Sequence, residues 1–245
     1  MRPAARMHRM PARRTLTDVD GTVIATFSDI ERDGRRVADL LELEVPVERA
    51  LAPILDQLRG FRVAGPVELG RALIEAGGTP ARHAHVYSHD LLERPEPRPP
   101  AGITLTPLDR PAAEIVPAYL AAHPPEHPDH AAIAAEDSDA WFSALLAGKY
   151  GPLLDSSGLA IADDTVVAGI VIADRADPEP PFEGPWVMEL FRDPGYPGTG
   201  RAVLERALMH SEAALGLAVT EGNSAARLYE ALGFRRVLST YSVDL

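Results

Sequence analysis

The stretch GYPGTGR, residues 195–201, separates an apolar run, WVMELF, from an amphipathic one, RAVLERALMHSEAAL. A glycine turn that opens a helix exposes backbone N–H groups with no intrahelical partner. The helix dipole adds partial positive charge at the same end. Such a place holds a phosphate or pyrophosphate without any basic side chain. Gly198 and Gly200 would admit the ligand close to the backbone, with Thr199 between them and Arg201 following. Taken alone, the pattern reads equally well as a tight strand-to-helix turn with no ligand.

A second stretch, VTEGNSAARLYEALGF at 219–234, supplies a phenol. Asn223 stands where a helix needs a cap. Ala225, Leu228 and Leu232 recur at helical spacing as a buried stripe, and Tyr229 lies beside that stripe. Gly233-Phe234 ends the helix. Tyr229 is then either a proton donor or a phenol packed at the edge of the core. Glu189 in VMELF is a candidate base. Strand alternation would put Val187, Glu189 and Phe191 on one face, which is either a cleft or solvent.

The run HPPEHPDH at 123–130 offers His123, His127, His130, Glu126 and Asp129. Metal binding needs ligands that converge. Pro124, Pro125 and Pro128 prevent the helix that would align histidines four apart. A solvated loop, or a wall of an acceptor pocket, fits the segment better. Asp155, Ser156 and Ser157 read as a turn, and Trp141 and Phe142 as core.

Gly198-x-Gly200 at a helix start, followed by N-x-x-A-x-L-Y-E-x-L-G-F, resembles the GNAT superfamily of acetyl-CoA-dependent N-acyltransferases. The resemblance spans about residues 102–245. It implies an amine attacking the thioester of acetyl-CoA directly, with no covalent enzyme intermediate. By that resemblance, Glu189 is the base and Tyr229 protonates the departing thiolate. Leu190, Phe191 and Arg192 of the fourth strand, together with Gly198, Thr199, Gly200, Arg201, Asn223 and Tyr229, hold the cosubstrate. Three departures stand out. Gly195 occupies the place of the family's Arg or Gln, with Arg192 or Arg201 as substitutes, the loop from the fourth strand to the helix is short, and the spacing from Asn223 to Tyr229 is one residue short. GNAT-like sheets splay and pair, which makes a homodimer compatible with the resemblance. The acceptor is expected to be a small-molecule amine. The alternative is a non-catalytic acyl-CoA-binding module.

The elements that must position these groups follow from local pattern. Residues 102–245 read β-α-α-β-β-β-α-β-α-β. Upstream, TVIATFSDI and RRVADLLELEV flank Asp33-Gly34, a hairpin signal. A helix in VERALAPILDQL is expected to start near Pro53, with Leu51, Ile54, Leu55 and Leu58 on its apolar face. The strand FRVA, the helix VELGRALIEAGG and the strand ARHAHVYSHDL follow. The fold class is α/β (α+β): a GNAT-like mixed twisted sheet flanked by helices, preceded by a smaller half-domain. LLERPEPRPPAG resists both helix and sheet. The expected organisation is a disordered basic arm at 1–14, a partial GNAT-like region at 15–94, a linker at 95–101 and the main domain at 102–245.

That partial region echoes the C-terminal one. Both contain ERAL, then a helix, and both end on nearly the same words, YSHDL (87–91) and YSVDL (241–245). The first copy lacks a glycine loop and has Ile74 where the second has Tyr229. It is therefore expected not to bind acetyl-CoA.

The 245 residues carry 24 basic and 36 acidic side chains, a net charge of −12. No basic stripe suggests nucleic acid, and no apolar run is long enough for a membrane span. There is no cysteine, which excludes disulfides and thiolate chemistry. A cytoplasmic location is the expectation.

Overall fold

In this computed structural model the structure describes residues 13–32, 34–130, 135–175 and 182–245. The chain forms two compact units, Met1–His85 with Leu238–Leu245, and Val86–Val237. Proline-rich 95–101, expected as a linker, lies inside the second unit. It is strapped to a helix there, because the Arg98 N–H donates to the buried carboxylate of Glu205 at 3.1 Å. The chain passes between units within strands instead.

In the first unit, β1 (Arg13–Thr17) pairs antiparallel with β2 (Val23–Arg32), which pairs antiparallel with β3 (Arg35–Leu43). Arg13 and Arg14, assigned to the arm by composition, belong to β1, where Arg14 pairs with Asp29 at 2.6 Å. The rest of that arm lies outside the described residues. The β2–β3 turn uses Gly34 at φ 69°, which glycine adopts at no steric cost.

Helix α1 (Val47–Gln57) starts six residues before Pro53, behind Pro46. Burial of Ala50 and Ile54 on its apolar face outweighs the hydrogen bond that Pro53 removes. β4 (Arg62–Pro66), α2 (Val67–Glu75) and β5 (Thr79–His89) follow. The last strand of the chain, β11 (Arg235–Asp244), pairs antiparallel with β4, from Thr240↔Pro66 to Asp244↔Arg62. The strand order is β1-β2-β3-β4-β11. Ile24, Phe27, Leu41, Ile54, Leu69, Leu73 and Val243 fill the core.

The second unit runs β6 (Thr104–Pro107), α3 (Ala112–Ala121), α4 (Ala135–Leu146), β7 (Gly158–Ala162), β8 (Thr165–Ala173), β9 (Trp186–Arg192), α5 (Thr199–His210), β10 (Leu215–Thr220), α6 (Ala225–Ala231) and then β11. This is the order read from the pattern of residues 102–245. The strand order is β5-β10-β9-β8-β7-β6. β6 to β9 are antiparallel neighbours, whereas β9 and β10 are parallel. One core packs Val203, Leu204, Ala207 and Leu208 of α5 with Tyr229 and Leu232 against the sheet. Another packs Ile115, Tyr119, Phe142 and Leu145 of α3 and α4 against it. No helix among the described residues is long and apolar enough to cross a membrane.

Candidate active site

Two irregularities of β9 create the opening on which the site is built. First, its parallel register with β10 is limited to Gly216↔Trp186. Among the described residues no further pair of the two strands is in register, which leaves the backbone edge of the C-terminal half of β9 open on the β10 side. Open α/β sheets bind ligands at such places, outside the carboxyl ends of parallel strands. Second, β8 aligns Val171 with Glu189 but Ile172 with Val187. Met188 is the extra residue of a β-bulge, a feature that re-aims side chains. The bulge overturns the simple alternation expected from sequence. Val187 and Leu190 join the α5 core, while Met188 and Phe191 join the α3–α4 core.

Glu189 is aimed toward α4, where the indole N–H of Trp141 donates to its Oε1 at 2.8 Å. Trp141, expected as core filler, is half-buried and holds the base candidate. Burial pushes the Glu189 carboxyl up to about 7, Asp129 adds to the shift, and the Trp141 bond works against it. Removing an ion from water disfavours its charged form, which is the leading cause. A carboxyl titrating near neutrality suits proton abstraction at physiological pH.

Tyr229 is the buried residue of α6, not a neighbour of the stripe. Ala225 and Leu228 are only partly buried. Its ring packs 6.2 Å from that of Tyr87 and 5.9 Å from that of Phe234. Burial, then the charges of Glu189 and Asp129, raise its pKa, so the phenol keeps its proton. Tyr119 of α3 is raised by the same causes. Both tyrosines thus feel the two carboxylates that flank the gap.

The histidine loop closes one side of this arrangement. Thr220, at the end of β10, donates its hydroxyl to Asp129 Oδ1 at 2.6 Å. His127 Nε2 lies 3.3 Å from the Asn223 amide nitrogen. His127 Nδ1 accepts the Asp129 N–H at 3.1 Å, and burial lowers its pKa, which favours the neutral ring. His123 and His130 spend their Nδ1 atoms on the carbonyls of Tyr119 and His123, at 2.8 and 2.7 Å. Asn223 Oδ1 also accepts the Ala225 N–H at 2.9 Å, although Ser224 and not Asn223 holds the N-cap position of α6. Sequence spacing gave no sign of Tyr119, Trp141 or Asp129 as neighbours of Glu189, since they come from three distant segments. Ser156 and Ser157 are buried and serve β7, where Arg206 donates to the Ser157 carbonyl at 2.9 Å.

Gly198 precedes α5 at φ 88°, a conformation that disfavours any side chain. Thr199 and Gly200 are buried in the first turn. The first intrahelical bond of that turn is Ala202 N–H to the Gly198 carbonyl. The donors of Gly200 and Arg201 therefore fall where helices leave them unmatched. A Cβ on Gly200 would sit 3.4 Å from Arg192 Cβ, in ordinary contact. Its glycine identity is thus explained by access to the backbone better than by crowding.

The cations suggested as substitutes for the family's Arg or Gln are engaged nearby. Arg192 donates to the carbonyls of Asp193 and Pro194 at 3.1 and 3.0 Å. Arg201 Nε donates to Glu205 at 2.7 Å. The Gly195 N–H is spent on Asp193 Oδ1 at 2.7 Å.

No protein-family model matches the sequence, and no curated protein matches it. Solved structures do. A GCN5-related N-acetyltransferase from Sphaerobacter thermophilus superposes with a TM-score of 0.57 at 18% identity, over 91% of this chain and 76% of that one. The fold is that of the GCN5-related N-acetyltransferases. One from Kribbella flavida aligns at a TM-score of 0.54 and 19% identity, over 95% and 90% of the two chains. A tandem GNAT protein from the clavulanic acid biosynthesis pathway aligns at 0.52 and 14%, over 96% and 83%. Within this GNAT fold, the gap between β9 and β10, the glycine-led start of α5 and Glu189 all belong to the second unit.

Proposed function

We propose that this chain transfers an acetyl group from acetyl-CoA to a small-molecule amine at the β9–β10 opening of its second unit. The observation that supports this reading is that one strand, β9, carries Glu189, a carboxyl titrating at about 7, and leads directly into the glycine-led start of α5. The pyrophosphate fits the unmatched N–H groups of the first turn of α5. The pantetheine arm fits the open edge of β9 at Leu190 and Phe191. Acetyl-CoA supplies the activated acyl group. Everything else is done by the chain.

The acceptor arrives as an ammonium ion, and Glu189 takes its proton. The freed amine forms a carbon–nitrogen bond to the thioester carbonyl as the carbon–sulfur bond breaks. Tyr229 gives its hydroxyl proton to the sulfur that leaves and recovers it from the attacking nitrogen, so the products are the amide, the free thiol and the one proton that Glu189 took. Arg192 braces the loop from within and holds its shape.

Thermal unfolding with and without acetyl-CoA tests the binding half of this reading. At one hundred times its Kd a native-state ligand stabilises by about 2.7 kcal/mol. Wild type is expected to shift and Gly200→Glu, which puts a carboxylate in the phosphate site, is not. Amine-dependent thiol release tests the transfer. The engagement of Gly195, Arg192 and Arg201 within the loop favours one second reading, a non-catalytic acyl-CoA module. Binding without release across an amine panel would select it.

Residues 15–94 we read as a degenerate copy of the same design. Its elements from β3 to β5 run strand, helix, strand, helix, strand, as do β9 to β11. It lacks the glycine loop and the tyrosine.

A further inference from the structure

The acceptor side of the opening has a definite charge inventory. Glu189 receives one bond, from the Trp141 indole. Asp129 receives the Thr220 hydroxyl on Oδ1, while its Oδ2 has His127 Nδ1 at 3.9 Å, beyond hydrogen-bond distance. Among the described residues no lysine or arginine pairs with either carboxylate. Uncharged polar groups lie around them: the phenols of Tyr119 and Tyr229, the Trp141 indole and the Asn223 amide. The His127 ring, which faces Asp129, is held toward its neutral form by burial.

Position matters as much as charge. Asp129 is fastened to the end of β10, and Glu189 lies on β9. Both strands run parallel from Gly216↔Trp186, with Thr220 the last residue of β10 and Glu189 three residues past Trp186 on β9. One carboxylate therefore stands on each side of the gap, on the face that α3, α4 and the histidine loop cover.

From this we infer that the acceptor is an aliphatic amine bearing a second positive charge, a di- or polyamine, with Asp129 holding the distal ammonium while Glu189 deprotonates the attacking one. The inference rests on the acetyltransferase reading and narrows it. An acceptor with a carboxylate near its amine would set like charge against both Glu189 and Asp129, with which no arginine or lysine pairs among the described residues. A monoamine would leave Asp129 Oδ2, in a partly exposed side chain, to solvent alone. Asp129 is a specificity residue here, since it touches substrate away from the reacting atoms.

The test compares three amines of equal length at saturating acetyl-CoA: 1,4-diaminobutane, butylamine and 4-aminobutanoate. Thiol release gives kcat/KM for each, in wild type and in Asp129→Asn. Wild type should prefer the diamine over butylamine by about tenfold or more, the share of a charge-assisted hydrogen bond, with 4-aminobutanoate last. In Asp129→Asn the ratio of diamine to butylamine should fall to near one. A loosened fold would not selectively erase that ratio.

Preference for 4-aminobutanoate, or a diamine preference that survives in Asp129→Asn, overturns the inference and leaves the acetyltransferase reading standing. If acetyl-CoA stabilises the protein but no amine is turned over, calorimetric titration of diaminobutane in the presence of CoA decides. Absence of binding, or equal binding to the variant, overturns the inference. If acetyl-CoA fails to stabilise the protein, both readings fall.

Discussion

A carboxyl that titrates near neutrality is useful to a reaction and costly to a fold. Glu189 is raised from 4.5 to about 7, so between those values the folded chain binds a proton that the unfolded chain has released. Linkage then makes stability fall as pH rises through this window. Glu189→Gln should remove the cost. Its melting temperature should match wild type near pH 4.5 and exceed it at pH 8, as calorimetric scans at both values would read. Over the same range wild-type kcat/KM should rise with an apparent pKa of about 7, and the variant should lose that rise along with most of its activity. A variant less stable than wild type at pH 8 would mean the carboxylate is better paired than the Trp141 contact alone suggests. Tyr229→Phe separates a second role: kcat should drop by about a hundredfold while acetyl-CoA affinity, read by calorimetry, stays within twofold. Both residues can be put forward as candidates from the sequence because each sits in or beside a local motif. Trp141, Tyr119 and Asp129 are not, since only tertiary packing brings them to Glu189.

At the scale of elements, each helix and strand of the second unit carries its own periodicity, which is why their order can be read from residues 102–245. The bulge at Met188 and the divergence of β9 from β10 cannot. Both are properties of register between strands, and register is set by partners far away in sequence. The end of α6 shows how such a partner works. His89 Nε2–H donates to the Leu232 carbonyl at 2.9 Å, while its Nδ1 accepts the Leu91 N–H at 3.0 Å. The ring thereby satisfies one of the carbonyls a helix leaves open at its C-terminus. Only the neutral ring can do both, and burial lowers its pKa below the usual 6.5. Below pH 6.5 the unfolded chain takes up a proton that the folded chain refuses, so this contribution is present above that pH and shrinks as pH falls. The sense is opposite to that of Glu189. Variants therefore separate the two where the wild-type curve cannot. The loss of melting temperature between pH 7.5 and pH 5.5 should be smaller in His89→Gln than in wild type. An equal loss would assign the pH dependence elsewhere.

The near-repeat of YSHDL and YSVDL acquires a meaning at the scale of the molecule. Each unit is completed by a strand from the other segment of the chain. Tyr87, His89 and Leu91 serve the second unit, where Tyr87 donates to Glu230 at 2.9 Å and His89 lies against Gly233. Tyr241, Val243 and Leu245 serve the first, where Val243 is fully buried and lies against Gly78. The two words dock in corresponding ways, Tyr beside the helix and the next alternate residue beside the glycine after it. This correspondence supports the degenerate-copy proposal more strongly than the shared alanine-rich helices do. The repeat is visible in the sequence. The exchange is not, because either copy of the word satisfies the local pattern of either helix. Gly70 in α2 offers a test of the seating. Replacing an exposed glycine inside a helix by alanine ordinarily stabilises by about 1 kcal/mol. Here the new Cβ would fall 2.1 Å from Tyr241 Cβ, far inside contact distance, so the strand or the helix must move. Gly70→Ala should instead destabilise the protein by about 1–3 kcal/mol, the usual cost of overpacking. Hydrogen exchange should show protection lost in residues 240–244 and in their β4 partners, while acetyl-CoA still binds the second unit. Stabilisation by this substitution would show that Tyr241 does not pack on α2 and that the first unit finds its last strand elsewhere.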